Sequence, residues 1–312
     1  MESEKTKKKG VILRDLKKNY SLYLLILPVI VFFAIFSYGP MFGVLMAFQN
    51  YDIMDGIFGS QWVGFEHFIT FFKGYYFGRL IRNTVIFSLL DLAIVFPMPI
   101  ILALMLNSVH NKLFKRSLQT AVYLPYFISV VVVAGLLRNF LAPKGFIGAA
   151  FAKLGLIPEG ENMLGMPKFF RGIIVVSNIW QIVGFQSIIF IAALSSIDPT
   201  LYEAAEIDGA GRTSKLLRIT LPSILPMIML MLVLKIGTLL AVGYEKIVLL
   251  YNSSTWEVGD VIGSYVYRLG FETAAVNYSY TTAIGLFNSV VSLILLLAAN
   301  FLSKKATGYG MV

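Results

Sequence analysis

The chain has 312 residues, of which 57% are hydrophobic and only 14% charged, with a net charge of +9 and a mean hydropathy of +0.77. A soluble domain of this length needs far more polar surface, so the balance places the chain among polytopic membrane proteins. The absence of cysteine excludes disulfides, thiolate catalysis and cysteine metal sites.

Residues 1–20 form a basic extension carrying Lys5, Lys7, Lys8, Lys9, Arg14, Lys17 and Lys18, suited to an anionic membrane leaflet. The apolar run that follows continues to about Phe48, longer than the core of a cleaved leader, and no small-residue cleavage site is evident. It reads as a retained first span, bent near Gly39-Pro40. Five further spans are expected at roughly 83–106, 119–141, 171–197, 223–250 and 280–302. Each is close to the ~20 residues that cross about 30 Å of hydrocarbon. The intervening stretches 49–82, 142–170 and 251–279 are rich in glycine and aromatic residues; Trp62, Tyr75, Tyr76, Trp256, Tyr265 and Tyr267 read as an interfacial belt. The expected organisation is therefore the extension 1–20, a first span with its outer loop (21–82), a core of five spans (83–302) and a tail (303–312).

One long polar segment interrupts the core, DPTLYEAAEIDGAGRTSKLLRITLP, from Asp198 to Pro222. Asp198 and Pro199 supply an N-cap carboxylate and a first-turn proline. Gly209 and Gly211 supply the freedom a helix needs to stop and turn. Thr213 or Ser214 is expected to cap a second short helix with Leu216, Leu217 and Ile219, before Leu221-Pro222 opens the fifth span. The product is a helix-turn-helix between two spans, with small alanines on its first half that let another protein approach closely.

Charge orients the spans. With the N-terminus inside, the seven of the extension together with Lys112, Lys115, Arg116, Arg212, Lys215, Arg218, Lys304 and Lys305 give fifteen cytoplasmic Lys/Arg against ten outside, which favours both termini in the cytoplasm. The basic net charge is thus orientation, with no nucleic-acid partner implied.

The central segment resembles the signature cytoplasmic loop of binding-protein-dependent ABC importer permeases, Glu-Ala-Ala-x3-Gly-x9-Ile-x-Leu-Pro: Glu203, Ala204, Ala205, Gly209, Ile219, Leu221 and Pro222 all fall on that spacing. Asp208 and Gly211 lie within the same turn. Softer matches, including LILPVIVFFAIFSYGPMFGVLMAFQNYD, WVGFEHF, YLPYFISVVVVAG and NYSYTTAIGLFNSVVSLILLLAAN, resemble the branch of sugar-importer permeases associated with complex saccharides, also called the polysaccharide or lipoprotein permease group. The resemblance implies an all-α polytopic protein of the bacterial cytoplasmic membrane, with six helices in the type I ABC importer permease fold. It also implies a second homologous permease, two ATPase subunits, an extracytoplasmic solute-binding protein and an oligosaccharide substrate. The segment 198–222 would couple this chain to the ATPase.

The chain itself has no Gly-x4-Gly-Lys-Ser/Thr phosphate loop, so ATP and magnesium are expected on the partner ATPases and no cofactor or metal on this chain. Two histidines, His67 and His110, with no His-Glu-x-x-His pair and no assembled nucleophile and base, argue against an enzyme. An ion-coupled secondary transporter or channel is the alternative. Its evidence is the two deep charges, Asp91 in the second span and Lys235 in the fifth, which either pair or separately touch substrate; a structural role is favoured. Polar stripes mark a candidate sugar pathway: Thr281, Gly285, Asn288 and Ser292 on the last span, Asn178 and Gln181 one turn apart on the fourth, and Thr84, Ser88 and Asp91 on the second. Helix-to-helix hydrogen bonding explains any single one of these residues equally well.

Overall fold

In a computed structural model, residues 18–241, 243–273 and 276–308 are described. Most of the basic extension and the end of the tail lie outside them. The described residues are mostly helical, and the strands among them are β1 (Gln49–Asn50) and β2 (Gln61–Trp62), two residues each, paired antiparallel. Six stretches are long and apolar enough to cross a membrane: Tyr20–Phe48, Phe77–Asn107, Val130–Lys153, Pro167–Ser195, Arg212–Gly237 and Tyr278–Lys305.

Three of these stretches carry the same irregularity. Helix α1 (Tyr20–Phe33) widens into a π turn, Ala34–Tyr38, just before Pro40, and goes on as a 3-10 stretch, Gly39–Phe48. Helix α2 (Phe77–Leu90) widens at Asp91–Val95 before Pro97, where α3 (Pro97–Asn107) begins. The fifth span widens at Leu216–Thr220 before Pro222. In each case the residue ahead of the proline, Gly39, Phe96 or Leu221, bonds the carbonyl five residues back. A proline ring clashes with the carbonyl four residues back and offers no N–H, so a widened turn is one way to keep the helix going through it. Pro28 and Pro226 are instead carried inside regular α-helix.

The third and fifth predicted spans need correction. The third was expected at 119–141, but α4 (Lys112–Tyr123) ends at Leu124-Pro125, and a new helix, α5 (Val130–Leu141), starts after extended residues at 128–129. Asn111 caps α4 through Phe114 N at 3.1 Å, and Ser129 caps α5 through Val132 N at 3.3 Å. Hydropathy cannot see a break made of Leu, Pro, Tyr, Phe and Ile. The fifth span was expected at 223–250; instead an α-helix runs from Leu221 to Gly237 and ends there, a 3-10 turn covers Leu239–Ala241, and a short helix covers Tyr244–Leu250. Gly243, at φ 44°, starts that short helix from a left-handed conformation.

By contacts, the chain falls into two units: one up to Ile69 together with Asn277–Leu286, and one from Thr70 to Val276 together with Phe287 onwards. In the first, Phe48 gathers Trp62, Phe65 and Phe68 around the hairpin, and Tyr51 N donates to Ser279 Oγ at 2.8 Å. The second is built on α6 (Pro167–Ser195). Phe170 and Ile174 near its start share a core with Phe87, Ile247 and Leu250, and Phe190 and Leu194 near its end share another with Ala103 and Ile224.

Between those cores α6 meets α4 at Gly184, where an added Cβ would lie 1.9 Å from Val122 O. Backbones this close need a residue without a side chain, as is common where helices pack in membranes. Gly184→Ala is therefore expected to overpack the contact and destabilise by about 1–3 kcal/mol. Gly172→Ala, on the same helix with open space around it, is the control. Thermal midpoints of the detergent-solubilised proteins check this: the first substitution lowers the midpoint and the second leaves it in place.

Candidate functional site

The polar segment after α6 folds as a braced hairpin. Asp198 Oδ1 accepts from Thr200 N at 2.9 Å and caps α7 (Pro199–Ile207), with Pro199 in the first turn. That backbone N–H holds the Asp198 carboxyl below its ordinary range. Asp208 caps the end of α7 just after Ile207, and Gly209 turns left-handed at φ 71°. Gly209 N then bonds Glu206 O at 3.0 Å and Ala210 N bonds Ala205 O at 2.8 Å, the paired closure that lets a left-handed glycine end a helix.

The second half departs from expectation. Gly211, not Thr213 or Ser214, occupies the N-cap position, with extended backbone, and Arg212–Lys215 leads straight through the π turn into the helix Leu221–Gly237. No separate second helix intervenes: Ile219, Leu221 and Pro222 belong to the mouth of the fifth span. Two side-chain ties close the hairpin. Tyr202 OH and Thr220 Oγ1 are hydrogen-bonded at 3.0 Å, and Lys215 Nζ donates to Glu206 Oε1. The Lys215 hydrogen bond and charge hold the Glu206 carboxyl below its usual range.

The outer face of α7 is open. Glu203 and Ala204 are exposed and Ala205 is half-buried. Ile207 is 88% exposed and Leu201 48%. Leu201, Ala204 and Ile207 recur at a spacing of three, so an apolar strip beside a carboxylate points away from the protein. Sequence reading passed over Leu201, Ile207, Tyr202 and Glu206; the three-residue spacing of apolar groups in an otherwise polar segment was the signal for the strip.

The deep polar residues come together at the break in the fifth span. Asp91 Oδ2 and Lys235 Nζ form an ion pair at 2.5 Å, with Asp91 buried. On the same face of α2, Thr84 Oγ1 accepts from Ile262 N at 3.1 Å and Ser88 Oγ donates to Leu239 O at 2.9 Å. That stripe ties helices together. On α6, Gln181 Nε2 donates to Ile128 O at 3.0 Å, spanning the break before α5, and Asn178 Oδ1 accepts from Lys246 Nζ at 2.7 Å. A cavity of about 240 Å³ lies beside Lys235 and Thr238, walled by Phe96, Phe190 and Met231, with Gln186 also lining it. On the last helix, the Asn288 Oδ1 is buried without a partner among the described residues. Ser292 is half-buried, and Leu296, one turn further, would touch a Cβ at Gly237. The structure thus gathers Asp91, Lys235, Asn178 and Gln181 around the two chain breaks and shows no contact of Asn288 or Ser292 with any of them.

Sequence reading also missed a charged cluster in the 251–268 segment. The Asp260 carboxylate is fully buried, bonded by Arg79 at 3.1 Å, Arg268 at 2.8 Å and Ser264 Oγ at 2.8 Å. Arg82 pairs with Glu257 at 2.6 Å, and Arg171 reaches Asn83 Oδ1 at 2.9 Å. Trp256 and Tyr265, expected in an interfacial belt, pack on the Arg268 guanidinium instead. The arginines lie at 79 and 82 on one helical face, opposite acids more than 170 residues away, which no local pattern reveals.

Among the described residues no cluster of His, Cys, Asp or Glu suits a metal ion. Comparison with known proteins is informative along nearly the whole chain. A family profile described as "Binding-protein-dependent transport system inner membrane component" matches residues 96–308. The polygalacturonan/rhamnogalacturonan transport system permease protein YteP of Bacillus subtilis (strain 168) is 42% identical over 310 residues, covering 97% of this chain and 93% of that one. Protein LplB of the same organism is 42% identical over 297 residues, covering 95% and 92%. A chain of a bacterial alginate ABC transporter, solved in complex with an alginate pentasaccharide-bound periplasmic protein, superposes with a TM-score of 0.86 at 45% identity, covering 96% of this chain and 99% of its own.

The Asp91–Lys235 pair generates a test. Removing one partner of a buried pair strands the other charge and costs about 3 kcal/mol or more, whereas removing both can be close to neutral. Asp91→Asn and Lys235→Met are each expected to lower the detergent thermal midpoint, and the double variant to recover most of the loss. Additive losses would show that the two charges are independent.

Proposed function

Because the chain belongs to the inner membrane components of binding-protein-dependent transport systems, we propose that it imports an oligosaccharide or other complex saccharide as the permease subunit of an ATP-driven ABC importer. It is a multi-pass protein of the bacterial plasma membrane with the type I ABC importer permease fold. The observation that carries the reading is the braced hairpin at 198–222, whose apolar strip and Glu203 are presented outward on a rigid turn. A saccharide cargo is supported by the relatives, among them a polygalacturonan/rhamnogalacturonan permease and a chain of an alginate transporter.

In this reading the hairpin enters a cleft of a partner ATPase, and ATP and magnesium are bound by two such subunits and not by this chain. A second homologous permease completes the translocation path, and an extracytoplasmic binding protein delivers the sugar. Both termini are cytoplasmic, on the side of the hairpin. The mechanism is alternating access. Closure of the ATPases moves α7, and the Tyr202–Thr220 and Glu206–Lys215 ties pass that movement to the mouth of the fifth span. The hairpin couples because nucleotide-bound and nucleotide-free ATPases hold it differently. The Asp91–Lys235 pair keeps the two deep charges satisfied within the protein, leaving neither to serve as a free ion carrier.

Two experiments test this. Gly209→Val forces a β-branched residue into a left-handed position, straining the turn by about 1–2 kcal/mol or more, and Glu203→Lys reverses the charge beside the strip. Both variants are expected to reach the membrane in normal amount and to lose saccharide uptake; normal uptake by both at equal abundance removes the coupling role. Orientation is read by single cysteines in the naturally cysteine-free chain. Met54→Cys and Ser254→Cys, both at exposed positions, are expected to react with an impermeant maleimide in intact cells, and Leu113→Cys and Ile207→Cys only after lysis. Labelling of Ile207→Cys in intact cells would put the hairpin on the wrong side for an ATPase.

A further inference from the structure

Lys246 stands apart from the other buried charges among the described residues, Asp91 and Asp260. It is only 3% exposed, yet its ammonium has a single partner, the neutral amide oxygen of Asn178 at 2.7 Å. Among the described residues no carboxylate lies within ion-pair distance of it. The contrast with its surroundings is direct: Lys235, at the other side of the same chain break, is answered by Asp91, and the buried Asp260 is answered by Arg79 and Arg268. Buried lysines are rare without a paired charge, since taking an ammonium out of water costs several kcal/mol. Lys246 therefore has an unmet demand for an anion.

Its setting fits a transient anion better than a permanent one. The residue lies in the short helix Tyr244–Leu250, which starts from the left-handed Gly243, and a Cβ on Gly243 would lie 3.6 Å from Asn178 Nδ2. Irregular backbone between membrane spans is tolerated where it is buried in protein or lines a path through the membrane. Asn178 spends its oxygen on Lys246, which leaves its Nδ2 group as a donor beside the ammonium. The pair thus offers N–H groups and no free acceptor. A carboxylate, which only accepts, satisfies such a set with short charge-assisted bonds. A neutral sugar hydroxyl does not discharge it.

Building on the import reading above, we propose that Lys246, oriented by Asn178, selects saccharides that carry carboxylate groups, that is, oligomers of uronic acids. Lys246 is closed off from solvent in the present state, so its contact with the carboxylate belongs to the state in which the path past the break is open.

Uptake by cells expressing the full transporter tests the assignment. The probes are trigalacturonate and trimannuronate, their fully methyl-esterified forms, and maltotriose as an uncharged oligosaccharide. The wild type is expected to take up at least one uronate trimer in preference to its ester. Lys246→Met is expected to raise the concentration needed for the acid by about tenfold or more while leaving the ester unchanged, and Lys246→Arg to keep the preference for the acid. The Met variant loses no charge partner and is expected to keep the thermal midpoint of the wild-type complex, which separates a charge effect from misfolding. Equal handling of acid and ester by the wild type, or equal loss of both in Lys246→Met, overturns the proposal. Uptake of maltotriose but of neither uronate overturns it while leaving the import reading intact. Uptake of none of the probes, with the Gly209→Val variant indistinguishable from wild type, overturns both.

Discussion

Hydrocarbon offers no water to an unpaired backbone group, and that constraint shapes what this chain does at three of the prolines it carries through the membrane, whereas Pro28 and Pro226 lie inside regular α-helix. The response is the same at Pro40, Pro97 and Pro222: the helix widens by one residue just upstream, and the residue before the ring bonds the carbonyl five back. The helices continue, but each acquires a place where its pitch changes. At Pro222 that place falls between the hairpin and the body of the fifth span. At Pro97 it begins with Asp91, whose carboxylate is the partner of Lys235. The positions where the helix departs from regularity are thus the positions to which hairpin and deep charges are attached.

Side-chain ties do the corresponding work at the two breaks where helix continuity is lost. Gln181 bonds the carbonyl of Ile128 beside the break between α4 and α5, and Ser88 bonds the carbonyl of Leu239 in the break of the fifth span. Each amide or hydroxyl supplies a donor to a backbone carbonyl where the regular α-helix is interrupted. Thr84, Ser88 and Asp91 on the second span and Asn178 and Gln181 on the fourth are accounted for by named partners, whereas Asn288 on the last span keeps a buried oxygen unpaired among the described residues.

Much of this was legible in the sequence because it rests on composition and on local chemistry. Apolar runs placed all six spans, and the first, second, fourth and sixth agree in position with the structure to within a few residues at most ends. Asp198, Pro199 and Gly209 announced a capped helix and a left-handed stop, and both occur. The misplaced third and fifth spans fail for one reason: Leu124-Pro125 and Thr238–Gly243 end helices without interrupting the hydrophobic run, so hydropathy read through them. The second helix expected from Thr213 or Ser214 was absorbed into the fifth span because Gly211 already supplied the entry and the π turn accommodated Pro222. The Arg79–Asp260 and Lys246–Asn178 contacts join residues 181 and 68 positions apart, and no single-chain periodicity encodes them.

The apolar strip of α7 has a cost outside transport. Leu201, Ala204 and Ile207 are set on a braced hairpin and stand exposed among the described residues. Exposed apolar groups of this kind are what chaperones and proteases recognise, and they promote self-association when left bare. A subunit made in excess of its partners would display the strip, whereas an assembled one would hide it. The same few side chains that receive a mechanical signal therefore report whether assembly is complete, so the lifetime of the protein in the membrane is tied to the supply of the subunits it works with.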